Sequence, residues 1–126
     1  MPLAFLLAGC SDNTAYVDVP GQTLRPCSGR TLTTISLQSQ SPDNSFNIRW
    51  AGTSPLPAEI NLRKPATGFR ITSNGVPLPG PNQFKLQPNT VYRVINRTHS
   101  DAGPDELTFH TNASGLIDRA SKSACE

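Results

Sequence analysis

Turn-forming residues interrupt this chain every ~8–12 residues, and no helical period lasts for about three turns between them. The sequence holds 12 prolines and 9 glycines in 126 residues. Proline has no N–H to give, so each one ends a strand or confines it to an edge. The short stretches left between breakers alternate. Phe46, Ile48 and Trp50 point one way while Asn47 and Arg49 point the other. Ile60 and Leu62 oppose Asn61 and Arg63; Phe69 and Ile71 share a face, as do Leu107 and Phe109. A period of two is the signature of a half-buried strand. The expected fold class is therefore all-β, an antiparallel sandwich of about 7–8 short strands in one domain.

Thr31 to Gln38 is the first convincing strand, and Ser45 to Ala51, with the single Trp, reads as the central core strand. Ala58 to Lys64 and Gly68 to Thr72 follow. Asn74-Gly75 is the favoured pair for a type I′ hairpin turn, because both positions need positive φ. Its return arm, Val76-Pro77-Leu78, is flanked by proline and belongs on an edge. Phe84 to Leu86 reads as a brief strand with Lys85 outward. Thr90 to Arg97 is the most β-prone run, with Val91, Arg93 and Ile95 on one face and Tyr92, Val94 and Asn96 on the other. Leu116 to Ala120 fits either one helical turn or a last strand.

The N-terminus resembles a bacterial lipoprotein leader. Leu3 to Leu7 is apolar, and Leu7-Ala8-Gly9-Cys10 matches the lipobox pattern of Leu, two small residues and Cys. The resemblance implies that residues 1–9 are a signal peptide, here short and without its basic n-region. It further implies that Cys10 carries lipid and that 10–15 is a tether to a sandwich domain spanning 16–126. Ser11 after the Cys implies the outer membrane, with the domain in the periplasm. The alternative is an N-terminal strand or turn ending in a chance Cys. With Cys10 lipidated, Cys27 and Cys125 remain as a pair, expected as a disulfide in an oxidising compartment. Closing a loop of roughly 100 residues would stabilise by about 4–5 kcal/mol on the chain-entropy model. In a cytosolic protein the same two residues would be free buried thiols.

A second likeness lies in the body of the chain. Leu86-Gln87-Pro88-Asn89-Thr90-Val91-Tyr92-Arg93-Val94 resembles the L-x-P-x-T-x-Y-x-V segment of fibronectin type III domains. This implies an immunoglobulin/fibronectin type III-like sandwich in which Tyr92 forms a corner, its hydroxyl bonded to upstream backbone. On the same likeness, Trp50 is the core Trp of the second strand and Leu107 to Thr111 the last strand.

The sequence offers no motif for chemistry. His99 and His110 are the only histidines and sit at no metal-ligand spacing. Asp101, Asp105 and Glu106 cluster near Gly103 without the order of an EF-hand loop. There is no G-x-S-x-G and no phosphate loop. No catalytic residue, metal or cofactor is expected, and the protein does not read as an enzyme. A net charge of +2 from scattered basic residues gives no case for nucleic acid. What remains is a protein-binding surface. Its candidates are an outward basic row, Arg49, Arg63, Arg70, Lys85 and Arg93, and loop residues Asn74, Asn82, Asp101 and Asp105. Ordinary solubilising charge is the plainer explanation of that row. With its lipobox, size, Cys27 before a strand and Pro88-Asn89 turn, the chain resembles periplasmic immunity lipoproteins that occlude toxins delivered by type VI secretion. The alternative is a structural or assembly lipoprotein of a secretion, pilus or phage-exclusion complex, docked through an added strand.

Overall fold

The computed structural model of the protein describes residues 12–27, 31–40, 45–53, 55–80, 83–99 and 102–125. Among these residues are ten strands and no helix longer than a single turn. They are β1 (Ala15–Asp18), β2 (Thr23–Pro26), β3 (Thr34–Gln38), β4 (Phe46–Trp50), β5 (Ile60–Asn61), β6 (Phe69–Ser73), β7 (Val76–Pro77), β8 (Val91–Asn96), β9 (Asp105–Thr111) and β10 (Ile117–Ala120). All pairings are antiparallel. A three-stranded sheet runs β1-β2-β5, and a seven-stranded sheet runs β10-β9-β8-β3-β4-β6-β7.

The two sheets share one apolar core. Ala15, Val17, Leu24, Ile60 and Leu62 from the small sheet and its continuation meet Ile35, Leu37, Ile48, Ile71, Tyr92, Val94, Leu107, Phe109 and Ile117 from the large one. Tyr92 and Phe109 stack at 5.3 Å, and Phe46 meets Phe84 edge-on at 4.8 Å. With aromatics at only 6% of the chain, these pairs carry a large part of the core's bulk. The Tyr92 hydroxyl accepts the Gln87 N–H at 2.9 Å, the corner that the L-x-P-x-T-x-Y segment implies.

The Asn74-Gly75 turn forms as expected, with φ of 52° and 80°, and β7 is the short edge strand. The disulfide joins Cys27 to Cys125 with a Cα–Cα separation of 5.5 Å, well within bridging geometry. It ties the segment after β2 to the segment after β10. Leu116 to Ala120 resolves into β10 rather than a helical turn.

Several expectations are corrected. There are ten strands rather than 7–8, with β5 and β7 reduced to two-residue pairings. Phe84 to Leu86 is not a strand: Phe84 is buried, but the segment has no strand partner among the described residues, and the Gln83 N–H donates to the nearby Gly80 C=O. The run Ala58 to Lys64 forms strand only at Ile60–Asn61, with the Leu62 N–H donating onward to the Gln22 C=O at 2.9 Å. The Asn61 side chain accepts the N–H groups of Arg63 and Lys64 at 2.9 and 3.0 Å, turning the chain out of the sheet. Trp50 lies on β4, the second strand from Thr31 onward, but is only partly buried, at the end of the strand rather than mid-core. Its ring packs so closely on Gly52 and Gly68 that a Cβ on Gly68 would fall 2.2 Å from ring carbons.

The boundary drawn at Tyr16 also moves. Asn13 is 2% exposed and Ala15 is 1% exposed, so Asn13 to Ala15 belong to the domain rather than to a tether. The Asn13 amide donates to the carbonyls of His99 and Gly103, both at 3.0 Å, and accepts the His99 N–H at 2.9 Å. Its own carbonyl accepts from the Asn96 side chain at 2.9 Å. The chain therefore enters the described structure docked against the β8–β9 end of the sandwich. Cys10 and residues 1–9 lie outside the described residues.

Candidate binding face

Strand pairing leaves a sheet with unsatisfied N–H and C=O groups only along its edges, so the state of the edges decides how the large sheet can be approached. At one edge, β10 is partly covered. Gln22, in the left-handed region at φ 57°, uses its side chain as a substitute strand: its Oε1 accepts the Ile117 N–H and its Nε2 donates to the Ile117 C=O, both at 2.8 Å. Nearby, the Val17 N–H donates to the Lys122 C=O at 3.0 Å. At the other edge, alternate residues of β7 and its continuation face β6. Val76 is opposite Ser73, and the Leu78 N–H donates to the Ile71 C=O at 2.9 Å. The positions turned outward are Gly75, Pro77 and Pro79, and the two prolines have no N–H to offer. The β7 edge is thus closed to a further strand, and the β10 edge is occupied at Ile117 and Lys122.

The outer face remains open. Registers place Glu106, Ile95, Ser36, Asn47 and Thr72 in one row across it, and Arg97, Thr34, Arg49 and Arg70 in the next. The second row begins one residue past β8, where the Arg97 N–H donates to the Thr34 C=O at 2.9 Å. Arg93 lies on the same face opposite Thr108 and is ion-paired with Glu106. That bond, together with the nearby charges of Arg93 and Arg97, holds the Glu106 carboxyl below its ordinary range, and Glu106 in turn raises the Arg93 guanidinium. Ile95 is buried on this outer side, separate from the main core, between Ser36 and Glu106. Near the Asn74-Gly75 turn, Gln38, Ser39, Ser45 and Asn47 border a surface groove of about 400 Å³.

The structure brings together only part of the basic row expected from sequence. Arg49, Arg70 and Arg93 share the face, and Arg97, which sequence reading passed over, joins them. Arg63 follows β5 of the other sheet, and Lys85 sits in the strandless segment before β8. Asn74 is at the tip of the β6–β7 turn. Asp105 opens β9 and pairs with Lys122 at 3.1 Å. Asn82 and Asp101 lie outside the described residues.

One further constellation has chemical interest. His110 Nδ1 meets Asp118 Oδ1 at 2.8 Å across the irregular β9–β10 pairing, and the bond lowers the Asp118 carboxyl below its usual range. A carboxylate on an imidazole is two-thirds of an acyl-transfer triad. Among the described residues no hydroxyl or thiol is hydrogen-bonded to this ring, so the pair is a hydrogen-bonded clasp between β9 and β10. Among those residues, too, no three His, Cys, Asp or Glu side chains gather as a metal would require.

Compared with protein-family models, curated proteins and solved structures, the chain matches none of them.

Proposed function

We propose that this chain is a lipid-anchored periplasmic binding module that presents the outer face of its seven-stranded sheet to a protein partner. The observation that carries the reading is the contrast between large-sheet edges obstructed at Ile117, Lys122, Pro77 and Pro79 and an open, charged face. Stacked strands ~4.8 Å apart and ~3.3 Å of rise per residue make that face roughly 30 by 17 Å. A standard interface takes ~800 Å² of accessible surface from each partner, so the docked footprint is the face plus its rim, including the groove beside Asn74-Gly75. The Leu7-Ala8-Gly9-Cys10 motif supports anchoring through Cys10, with Ser11 favouring the outer membrane. The Cys27–Cys125 bridge supports an oxidising compartment, where such bonds persist.

Within that frame the role is immunity: the module occludes a toxin's active cleft in the periplasm. An immunoglobulin/fibronectin type III-like sandwich with the Tyr92 corner is a rigid support for such a plug. Assembly by strand addition is the weaker reading, because the prolines at 77 and 79 remove the donors an incoming strand needs. The test is protection. Toxins encoded beside this gene are expressed in the periplasm of cells with and without it. Survival only when the gene is present, together with acyl groups on Cys10 in the membrane fraction, is the expected result. Equal killing with and without the gene ends the immunity reading, and an unacylated Cys10 in the native host ends the anchoring.

A further inference from the structure

Arg49 and Arg70 stand directly opposite each other on β4 and β6. Cβ atoms of such a pair are ~4.5–5.5 Å apart, and like charges at that spacing destabilise a sheet. Three other basic side chains are ion-paired, Arg93 with Glu106, Arg25 with Asp18 and Glu59, and Lys122 with Asp105, while Arg63, Lys64, Lys85, Arg97 and Arg119 have no ion pair among the described residues but do not face another Lys or Arg directly across a strand pair. Among the described residues, neither Arg49 nor Arg70 makes an ion pair, and both are exposed. Around them on the same face are Thr34, Asn47 and Thr72, which donate hydrogen bonds but carry no negative charge. A repulsive pair surrounded by donors is complementary to an anionic oxygen group, such as a carboxylate placed between two guanidinium forks.

Resting on the binding-face reading, we propose that Arg49 and Arg70 form a clamp for an acidic segment of the partner protein. The row containing them lies toward the end of the sheet where Asn13 docks, so an anionic lipid surface is the rival occupant. Strand side chains stand roughly perpendicular to their sheet. The clamp therefore projects sideways from the strand axes, toward a molecule alongside the sandwich rather than beyond its end.

The probe is a labelled octapeptide of alternating Asp and Glu, titrated into the full chain at low salt and followed by amide chemical shifts. Shifts centred on residues 34, 47, 49, 70 and 72 are expected. Arg49→Glu and Arg70→Glu are each expected to weaken binding at least about tenfold, the loss of a charge-assisted bond. Arg63→Glu removes the same net charge from the other sheet and is expected to leave binding unchanged. The clamp is overturned if Arg63→Glu weakens binding as much as Arg49→Glu, or if the peptide does not bind. It is also overturned if phosphatidylglycerol vesicles bind the wild type through Arg49 and Arg70 while the peptide does not. Toxin protection that survives in the Arg49→Glu/Arg70→Glu variant refutes the clamp alone. Protection absent even in the wild type refutes the immunity reading beneath it.

Discussion

Asn13→Ala is expected to be among the most damaging single changes outside the apolar core. The side chain is almost fully buried and makes three bonds of 3.0 Å or less, all to the backbone of the β8–β9 connection. Truncation leaves one N–H and two carbonyls without their partner in a nearly closed site. A made hydrogen bond contributes about 1 kcal/mol, and an orphaned buried group costs about 1–3 kcal/mol. Water can enter the vacated space and rescue part of this, so the expected loss is ~2–4 kcal/mol. At ~4 °C per kcal/mol for a domain of this size, Tm falls by roughly 8–16 °C. Urea unfolding gives the free energy directly, with an unchanged m-value showing that the same surface is exposed. Asn13→Asp keeps an acceptor for the His99 N–H but aims a carboxylate at two carbonyls, and is expected to do no better than alanine. A loss under about 0.5 kcal/mol for Asn13→Ala would refute the docking of this segment.

Two other changes test separate parts of the structure. Gly68→Ala places a Cβ 2.2 Å from the Trp50 ring, so Trp50 must move; a cost of ~1–3 kcal/mol and an altered tryptophan emission are expected, with Trp50→Ala in the same chain removing most of that cost. Glu106→Gln probes the ion pair with Arg93 through pH. The folded carboxyl is held below its ordinary value of 4.5, so its contribution is fully present above that value and is lost as pH falls through the folded pKa. The variant is therefore expected to be less stable than wild type at pH 7 and to converge with it in acid; a gap in Tm that stays constant with pH would contradict the pairing.

Much of the fold was legible because alternation and turn chemistry are local. Phe69 and Ile71 inward, Asn74-Gly75 as a hairpin turn and the edge position of β7 all follow from residues within a few positions of one another. The disulfide was legible from cysteine arithmetic, and the Tyr92 corner from a nine-residue likeness. What stayed hidden depends on contacts distant in sequence. Asn13 reads as part of a polar tether until Asn96, His99 and Gly103 meet it. Gln22 reads as a turn residue until Ile117 arrives beside it. Asn61 looks like one outward position of a long strand, although its own side chain ends that strand.

The binding face was half legible for the same reason. Alternation turns Arg49, Arg63, Arg70 and Arg93 outward, but only strand order says which of them are neighbours. Because β5 crosses to the other sheet, Arg63 leaves the row and Arg70 moves next to Arg49. Arg97 lies just past the end of β8, where periodicity gives out.

The neighbour relation of Arg49 and Arg70 underlies the account of this face, and a double-mutant cycle on stability measures it without any partner. Arg49→Glu and Arg70→Glu each turn a repulsive cross-strand pair into an attractive one, and each is expected to stabilise by ~0.2–1 kcal/mol at low salt. The double reversal restores like charges and is expected to lose that gain, giving a coupling of ~0.4–2 kcal/mol, against the ~0.3–0.5 kcal/mol within which independent sites add. Additive effects of the two reversals would contradict the register, and with it the clamp.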